Sequence, residues 1–276
     1  MEFKGTLRRL AKQLKESLTR LAERLKETLR RLAERLTGTY IFRSLPRGVD
    51  IFHDINVALP NYRIETIFDV GANVGQSANT YIALFPSSRV LCFEPVAETF
   101  RQLQNNTKHR AQVRCFKLAF SSYKGRGTIL SQGTSTMNFL LDESEDLLKN
   151  IEVPTERVDV LALDDFCKSE KIDQISYLKI DTEGTDLEVL KGSENMLTQQ
   201  NIDLVKIETG MNPNNKRHVP FGVLKDYLES QNYFLFGIYE QVGEWPAKEP
   251  HLRRTNTVFI SHRMIETHRK RPETSE

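Results

Sequence analysis

The chain has 276 residues, of which 39% are hydrophobic and 28% charged, and its formal net charge is +2. Those are globular values, and the length allows one large domain or a domain with an appendage. No run approaches the ~18 consecutive apolar residues of a membrane-spanning helix, and no segment has the apolar core of a secretory signal, so a cytoplasmic location is expected.

The first predicted element is a long amphipathic helix over residues 6–36, which repeats with a period of eleven. Leu7, Leu18 and Leu29 align, as do Leu10, Leu21 and Leu32, then Leu14, Leu25 and Leu36, then Ala11, Ala22 and Ala33. Eleven residues in three turns keep this apolar stripe nearly straight, with a slight right-handed drift. Residues 1–38 hold eleven Lys or Arg and five Asp or Glu, a net of +6 that leaves −4 for the rest of the chain. A lone helix cannot bury such a stripe, so it needs other copies of itself, a membrane surface, or the body of the protein. The regularity of the repeat also fits an engineered fusion or oligomerisation segment. Thr37-Gly38 supplies a helix stop, which places a boundary between an appendage, 1–38, and a main domain, 39–276.

A short helical lead-in is expected over 41–59, closed by Pro60. Strands at 64–70, 90–94, 113–118, 177–181 and 204–208 then alternate with helices at 76–85, 97–108, 185–197 and 221–230. That alternation predicts a doubly wound, mostly parallel sheet. Residues 121–166 break the pattern with short β-like pieces, read as a β insertion before the fourth parallel strand. Two late strands, 233–238 and 257–261, are expected to pair antiparallel at one edge. Cys92, Cys115 and Cys167 are odd in number and lack metal spacing, and the six histidines form no H-x-x-x-H pair. Free thiols and no structural zinc follow.

The most telling local feature is the turn Asp69-Val70-Gly71-Ala72-Asn73-Val74-Gly75 between the first strand and its helix. Gly71 allows a tight turn, Gly75 a close backbone approach to a ligand, and the following helix offers unpaired N–H groups to an anion. The glycine spacing is neither G-x-G-x-x-G nor a P-loop. Glu94 closes the second strand, where an acid is the usual partner of ribose hydroxyls.

These blocks, FDVGANVGQS and VLCFEP, together with VDVLALDDF and LKIDTEG further on, resemble the FkbM family of S-adenosylmethionine-dependent methyltransferases. The resemblance covers about residues 60–210 strongly and the remainder more loosely. It implies a class I, Rossmann-like methyltransferase fold and S-adenosyl-L-methionine as donor. Its implied binding set here is Asp69, Gly71, Asn73, Gly75, Glu94, Ala119 and Asp181. Glu94 would take the ribose, and Ala119 would lie near the adenine.

Strand ends gather Asp181, Glu183 and Glu208 into the same crevice. A hydroxyl acceptor needs a base or a metal to take up its proton. Asp181, Glu183, Glu208 and His218 are the candidates, with Mg²⁺ conceivable on a carboxylate cluster. Asp181 and Glu183 point the same way only if the strand continues through both. Lys179 reads as a strand lysine paired with a nearby acid. Ser135, Thr136, Met137, Asn138, Tyr239, Glu240, Trp245, Arg253 and Arg254 are candidate acceptor contacts. The expectation is an O-methyltransferase acting on a sugar or related polar metabolite. A lipid-linked, peptide or polyketide acceptor at a membrane is the alternative, and a helix-driven assembly carrying the domain as cargo is another. Membrane contact through residues 6–36, peripheral to the inner membrane, and self-association through the same helix are both expected partners. Nucleic acid is not, because the body is acidic.

Overall fold

A computed structural model describes residues 2–40, 42, 44–130, 139–142, 155–215, 217–244 and 249–269, with the backbone alone described at 2–11, 130 and 139–142. The residues 135–138 and Trp245 singled out above lie outside it. The chain divides into two units, Met1–Pro46 and Arg47–Glu276, a division eight residues beyond the Gly38 stop. Among the described residues no helix is long and apolar enough to cross a membrane.

The first unit is built on α1 (Glu2–Thr37). It ends as Thr37-Gly38 predicts: Gly38 has φ +65° and its N–H donates to the Glu34 carbonyl at 2.9 Å. Arg30 bridges Glu27 and Glu34 at 2.7 and 2.9 Å, and Arg31 reaches Glu27 at 3.0 Å. Such i,i+3 and i,i+4 pairs favour the helix.

The second unit opens with α2 (Ile51–Ala58), shorter than the lead-in expected over 41–59. Pro46 and Gly48 (φ +91°) break the approach, and Asp50 starts the helix by accepting from the His53 N–H at 2.6 Å. The chain then runs β1 (Thr66–Val70), α3 (Gln76–Leu84), β2 (Arg89–Phe93), α4 (Ala97–Thr107) and β3 (Val113–Phe116). After it come β4 (Ala119–Phe120), β5 (Gly125–Leu130), β6 (Phe139–Asp142), β7 (Thr155–Leu161) and α5 (Leu163–Glu170). The last part is β8 (Ile175–Ile180), α6 (Asp186–Lys191), α7 (Glu194–Thr198), β9 (Ile202–Gly210), α8 (Phe221–Ser230), β10 (Tyr233–Gly243), β11 (Leu252–Ser261) and α9 (His262–His268).

Seven strands form one sheet in the order β10-β11-β9-β8-β1-β2-β3. The strands β3, β2, β1, β8 and β9 pair in parallel, and β11 runs antiparallel to both of its neighbours. The antiparallel strand therefore lies one place in from the edge that β10 forms. Every residue of β1 and β8 is buried, as a parallel strand covered by helices on both faces requires. A phenylalanine cluster of Phe68, Phe93, Phe116, Phe120 and Phe166, with ring centroids 4.5–5.9 Å apart, fills one face.

The β insertion is a second, four-stranded sheet, β4-β7-β5-β6. β3 stops at Phe116, short of the strand expected over 113–118, and the second sheet begins only at Ala119 with β4. The helix expected over 185–197 is two pieces, α6 and α7, interrupted at Gly192-Ser193. All three cysteines are free. From β1 the chain moves outward through β2 and β3, then returns to β8 on the other side of β1. The strand order reverses there, and a ligand crevice forms at such a reversal.

Candidate active site

A cavity of about 650 Å³ opens at that reversal, within the range of small-molecule sites. Its wall is continuous from Gly71, Asn73 and Glu94, past Ala119 and Asp181, to Glu183, Glu208 and His218.

The first half is set by the turn after β1. Gly71 has φ +73°, and a Cβ there would stand 1.9 Å from the Asp181 carbonyl oxygen. Glycine is required because the tips of β1 and β8 nearly touch. Asn73, at φ +49°, caps its own turn by accepting from the Val74 N–H at 2.7 Å. Its backbone N–H donates to Glu94 Oε2 at 3.1 Å, while the Val96 N–H donates to Oε1 at 3.0 Å. Burial pushes the Glu94 carboxyl up to about 7, against the two backbone donors that favour its charge. Each oxygen keeps a lone pair for a ligand hydroxyl. Ala119, with Leu118 and Phe120, lines the adjoining apolar wall.

Two expected members of this set have other work. Asp69 is fully buried and does not line the cavity; it faces Lys179 Nζ at 3.0 Å. Gly75 (φ +93°) also stays off the cavity wall, because a Cβ there would meet Leu103 and Thr107 of α4 at 3.0 and 3.3 Å. Its positive φ serves the start of α3, and its lack of a side chain serves the packing of α4. Lys179 is the paired strand lysine expected, and it does more than pair: Nζ also donates to the Gly71 carbonyl at 2.9 Å and lies 3.4 Å from Asp181. Burial works against its charge, but Asp69 and Asp181 outweigh that and hold it above the ordinary lysine pKa. One ammonium thus ties the first turn to the tip of β8.

The second half begins where β8 ends. Glu183 lies in the left-handed region at φ +54°, followed by Gly184 at φ +110°, where a Cβ would stand 2.5 Å from the Arg217 carbonyl. The strand does not continue, so Asp181 and Glu183 diverge. Buried Asp186 clamps the turn by accepting from the Thr182 N–H, the Thr182 hydroxyl and the Gly184 N–H at 3.0, 3.1 and 3.2 Å. A non-glycine residue held at positive φ costs about 1–2 kcal/mol and persists where its surroundings fix it. Burial, then the charges of Asp181 and Glu208, push the Glu183 carboxyl up to about 6, with Arg217 opposing.

Glu208 ends the site-facing stretch of β9. Its Oε2 lies 2.7 Å from His218 Nε2, and the Arg254 guanidinium contacts Oε1. His218 is buried, not a surface loop residue. The Asn215 Oδ1 accepts from the Arg217 N–H at 2.9 Å, which leaves its amide N–H₂ facing His218 Nδ1 at 2.8 Å. Nδ1 is therefore an acceptor, the ring proton sits on Nε2, and Nε2–H donates to Glu208. Both ring nitrogens are occupied.

Glu183, Glu208 and His218 bring one ligand atom each within 4.8 Å of one another. The set suits Mg²⁺ poorly: each Glu208 oxygen already accepts from Arg254 or His218, the nearer His218 nitrogen carries a proton, and Asp181 faces Lys179 at 3.4 Å. Arg217, Asn215 and Asp186 were not legible as site residues, and neither was Lys206. Only the spacing of Asp186 two residues after Gly184 hinted at a clamped turn. Arg253, Arg254 and Glu240 line the second half as anticipated, whereas Tyr239 is buried behind it and donates to Asp54 at 3.0 Å.

Residues 69–235 match the profile of the Methyltransferase FkbM domain. The chain belongs to that family. Among its relatives is the Hexuronic acid methyltransferase AglP of Haloferax volcanii, 29% identical over 154 residues, which are 54% of this chain and 58% of that one. Another is the 2-O-methyltransferase NoeI of Sinorhizobium fredii, 26% identical over 149 residues, 48% of this chain and 59% of that one. The FkbM-family chain thus spans less than two thirds of the length of these relatives. Among solved structures, the Precorrin-6y C5,15-methyltransferase of Geobacter metallireducens GS-15 gives a TM-score of 0.40 at 10% identity, over 79% of this chain and 92% of that one.

Proposed function

We propose that this FkbM domain transfers a methyl group from S-adenosyl-L-methionine to a hydroxyl of a sugar or related polar metabolite. The observation that carries the reading is the single cavity, which joins a glutamate-closed glycine turn to a wall holding a carboxylate of raised pKa. The donor supplies an electrophilic methyl group on a sulfonium. Glu94 accepts hydrogen bonds from ribose hydroxyls, and the apolar wall at Leu118, Ala119 and Phe120 receives the base. The turn from Gly71 to Asn73 and the first amides of α3 receive the amino-acid end, with Asp181 offering a negative charge to its ammonium.

On the acceptor side, Glu183 takes the hydroxyl proton as the oxygen–methyl bond forms and the sulfur–methyl bond breaks, leaving S-adenosylhomocysteine. Its carboxyl, raised to about 6, is ionised at neutral pH yet more basic than an exposed glutamate. Glu208, oriented by His218 and Arg254, holds the acceptor in line. The sugar preference is supported by the names of the two relatives, one a hexuronic acid methyltransferase and the other a 2-O-methyltransferase. Calorimetry with S-adenosylhomocysteine tests the donor half: micromolar binding that weakens at least about tenfold in Glu94→Ala is expected, matching the loss of a charged hydrogen-bond acceptor. Equal affinity in the variant would sink the assignment of Glu94. Mass spectrometry of uronic acids and neutral sugars incubated with enzyme and donor reads the acceptor half, where a gain of one methyl group is the expected product.

A further inference from the structure

The methyl-transfer site leaves α1 unexplained. Along Leu14, Leu18, Leu21, Leu25, Leu29, Leu32 and Leu36 the side chains are 52–78% exposed, a continuous apolar stripe about 30 Å long. Just past the helix end, Tyr40 and Phe42 are also exposed and stack with centroids 6.5 Å apart. What covers the stripe is decided by the charges beside it. At about 100° per residue, Lys15 and Lys26 border it on one side. Arg24 and Arg35 border it on the other, beyond Ser17 and Thr28. Glu16, Glu23, Glu27 and Glu34 all fall on the opposite face, where Glu27 and Glu34 are engaged by Arg30 and Arg31 and Glu23 by Lys26.

This arrangement disfavours a second copy of the helix. Helices that pair along an apolar seam place opposite charges beside it so that they meet across the interface. Here no acid borders the seam, so two copies would bring cations toward cations. The stripe is also wider than a two-position seam, since it takes four of every eleven residues. A phospholipid surface fits on both counts. The leucines enter the acyl boundary, the flanking cations extend to the phosphate level, and the acids stay in water. The net charge of +6 over residues 1–38 adds attraction to anionic headgroups.

We propose that α1 is an interfacial anchor that lies flat on an anionic phospholipid membrane, with its leucine stripe in the bilayer and Lys15, Lys26, Arg24 and Arg35 at the headgroups. The 276-residue chain would be sedimented with vesicles of phosphatidylcholine alone and with vesicles containing about 30% phosphatidylserine, where basic residues near the surface add attraction. Partition at least about tenfold stronger onto the anionic vesicles is expected, falling about tenfold in Lys15→Gln/Lys26→Gln and disappearing in Leu21→Gln/Leu25→Gln. The charge variant keeps every leucine, and an unchanged melting transition shows that the body is folded. Equal partition onto both lipids, or none onto either, overturns the proposal. So does light scattering that shows a helix-dependent oligomer, abolished by the leucine variant, that fails to bind vesicles.

Discussion

Two glutamates in one cavity have been moved to different pKa values, and each shift has its own consequence. Glu183, at about 6, is proposed as the base, so kcat is expected to rise with pH through an apparent pKa near 6 and then level off. Glu183→Gln should lower kcat about 10²–10⁴-fold, remove that acid limb and leave donor affinity unchanged, as read from a kcat–pH profile beside a calorimetric titration. Glu94 is a stability question as well as a binding one. Its folded value of about 7 stands above its ordinary 4.5, so the folded state holds the proton more tightly. Its contribution to stability is full below pH 4.5 and is lost as pH rises through 7. Between pH 4.5 and pH 8 the donor-free parent should therefore lose about 1–3 kcal/mol of stability relative to Glu94→Gln, which has no proton to release, as urea melts at the two pH values would show. The same variant should bind donor poorly at both. Glu94 was legible in the sequence because a strand end and its acid lie close to the glycine turn along the chain. The raised pKa of Glu183 was not, since it arises first from burial, which only the folded chain supplies, and then from the charges of Asp181 and Glu208.

At the scale of elements, the site depends on how closely β1 and β8 approach. Gly71→Ala puts a Cβ where the Asp181 carbonyl stands, and neither backbone can retreat without releasing Lys179 from the Gly71 carbonyl. A loss of about 2–4 kcal/mol in unfolding free energy and weaker donor binding are expected. Gly222→Ala in α8 is the control: nothing lies within 4 Å of its Cβ, and a gain of about 0.5–1 kcal/mol from helix propensity should appear in the same urea titration. The alternation of strands and helices was readable because buried parallel strands are short apolar runs between turn signals. The interruption of α6 from α7 was not, because the amphipathic pattern runs on through Gly192-Ser193. The end of the strand expected over 113–118 was also hidden, since the chain leaves the main sheet at Phe116 and enters the second one at Ala119. The turn at Glu183 left two geometries open in the sequence. The Asp186 clamp, which only the folded chain assembles, decides between them.

The whole second unit responds to its ligand by mass action. At a hundredfold excess over Kd, S-adenosylhomocysteine should add about 2.7 kcal/mol to the stability of the native state, a rise of about 5 °C or more in melting temperature. A scan with increasing ligand would show this, and a midpoint that stays fixed would argue against a donor site in the cavity. The order of the seven strands also divides labour across the sheet. Gly71, Asn73 and Glu94 follow β1 and β2, while Glu208, Glu240, Arg253, Arg254 and Asn256 come from β9, β10 and β11 on the other side of β8. The hairpin of β10 and β11 can therefore be exchanged between relatives as a cassette. Under the proposed function, such a graft would change which hydroxyl acceptor is held while the methyl source stays the same.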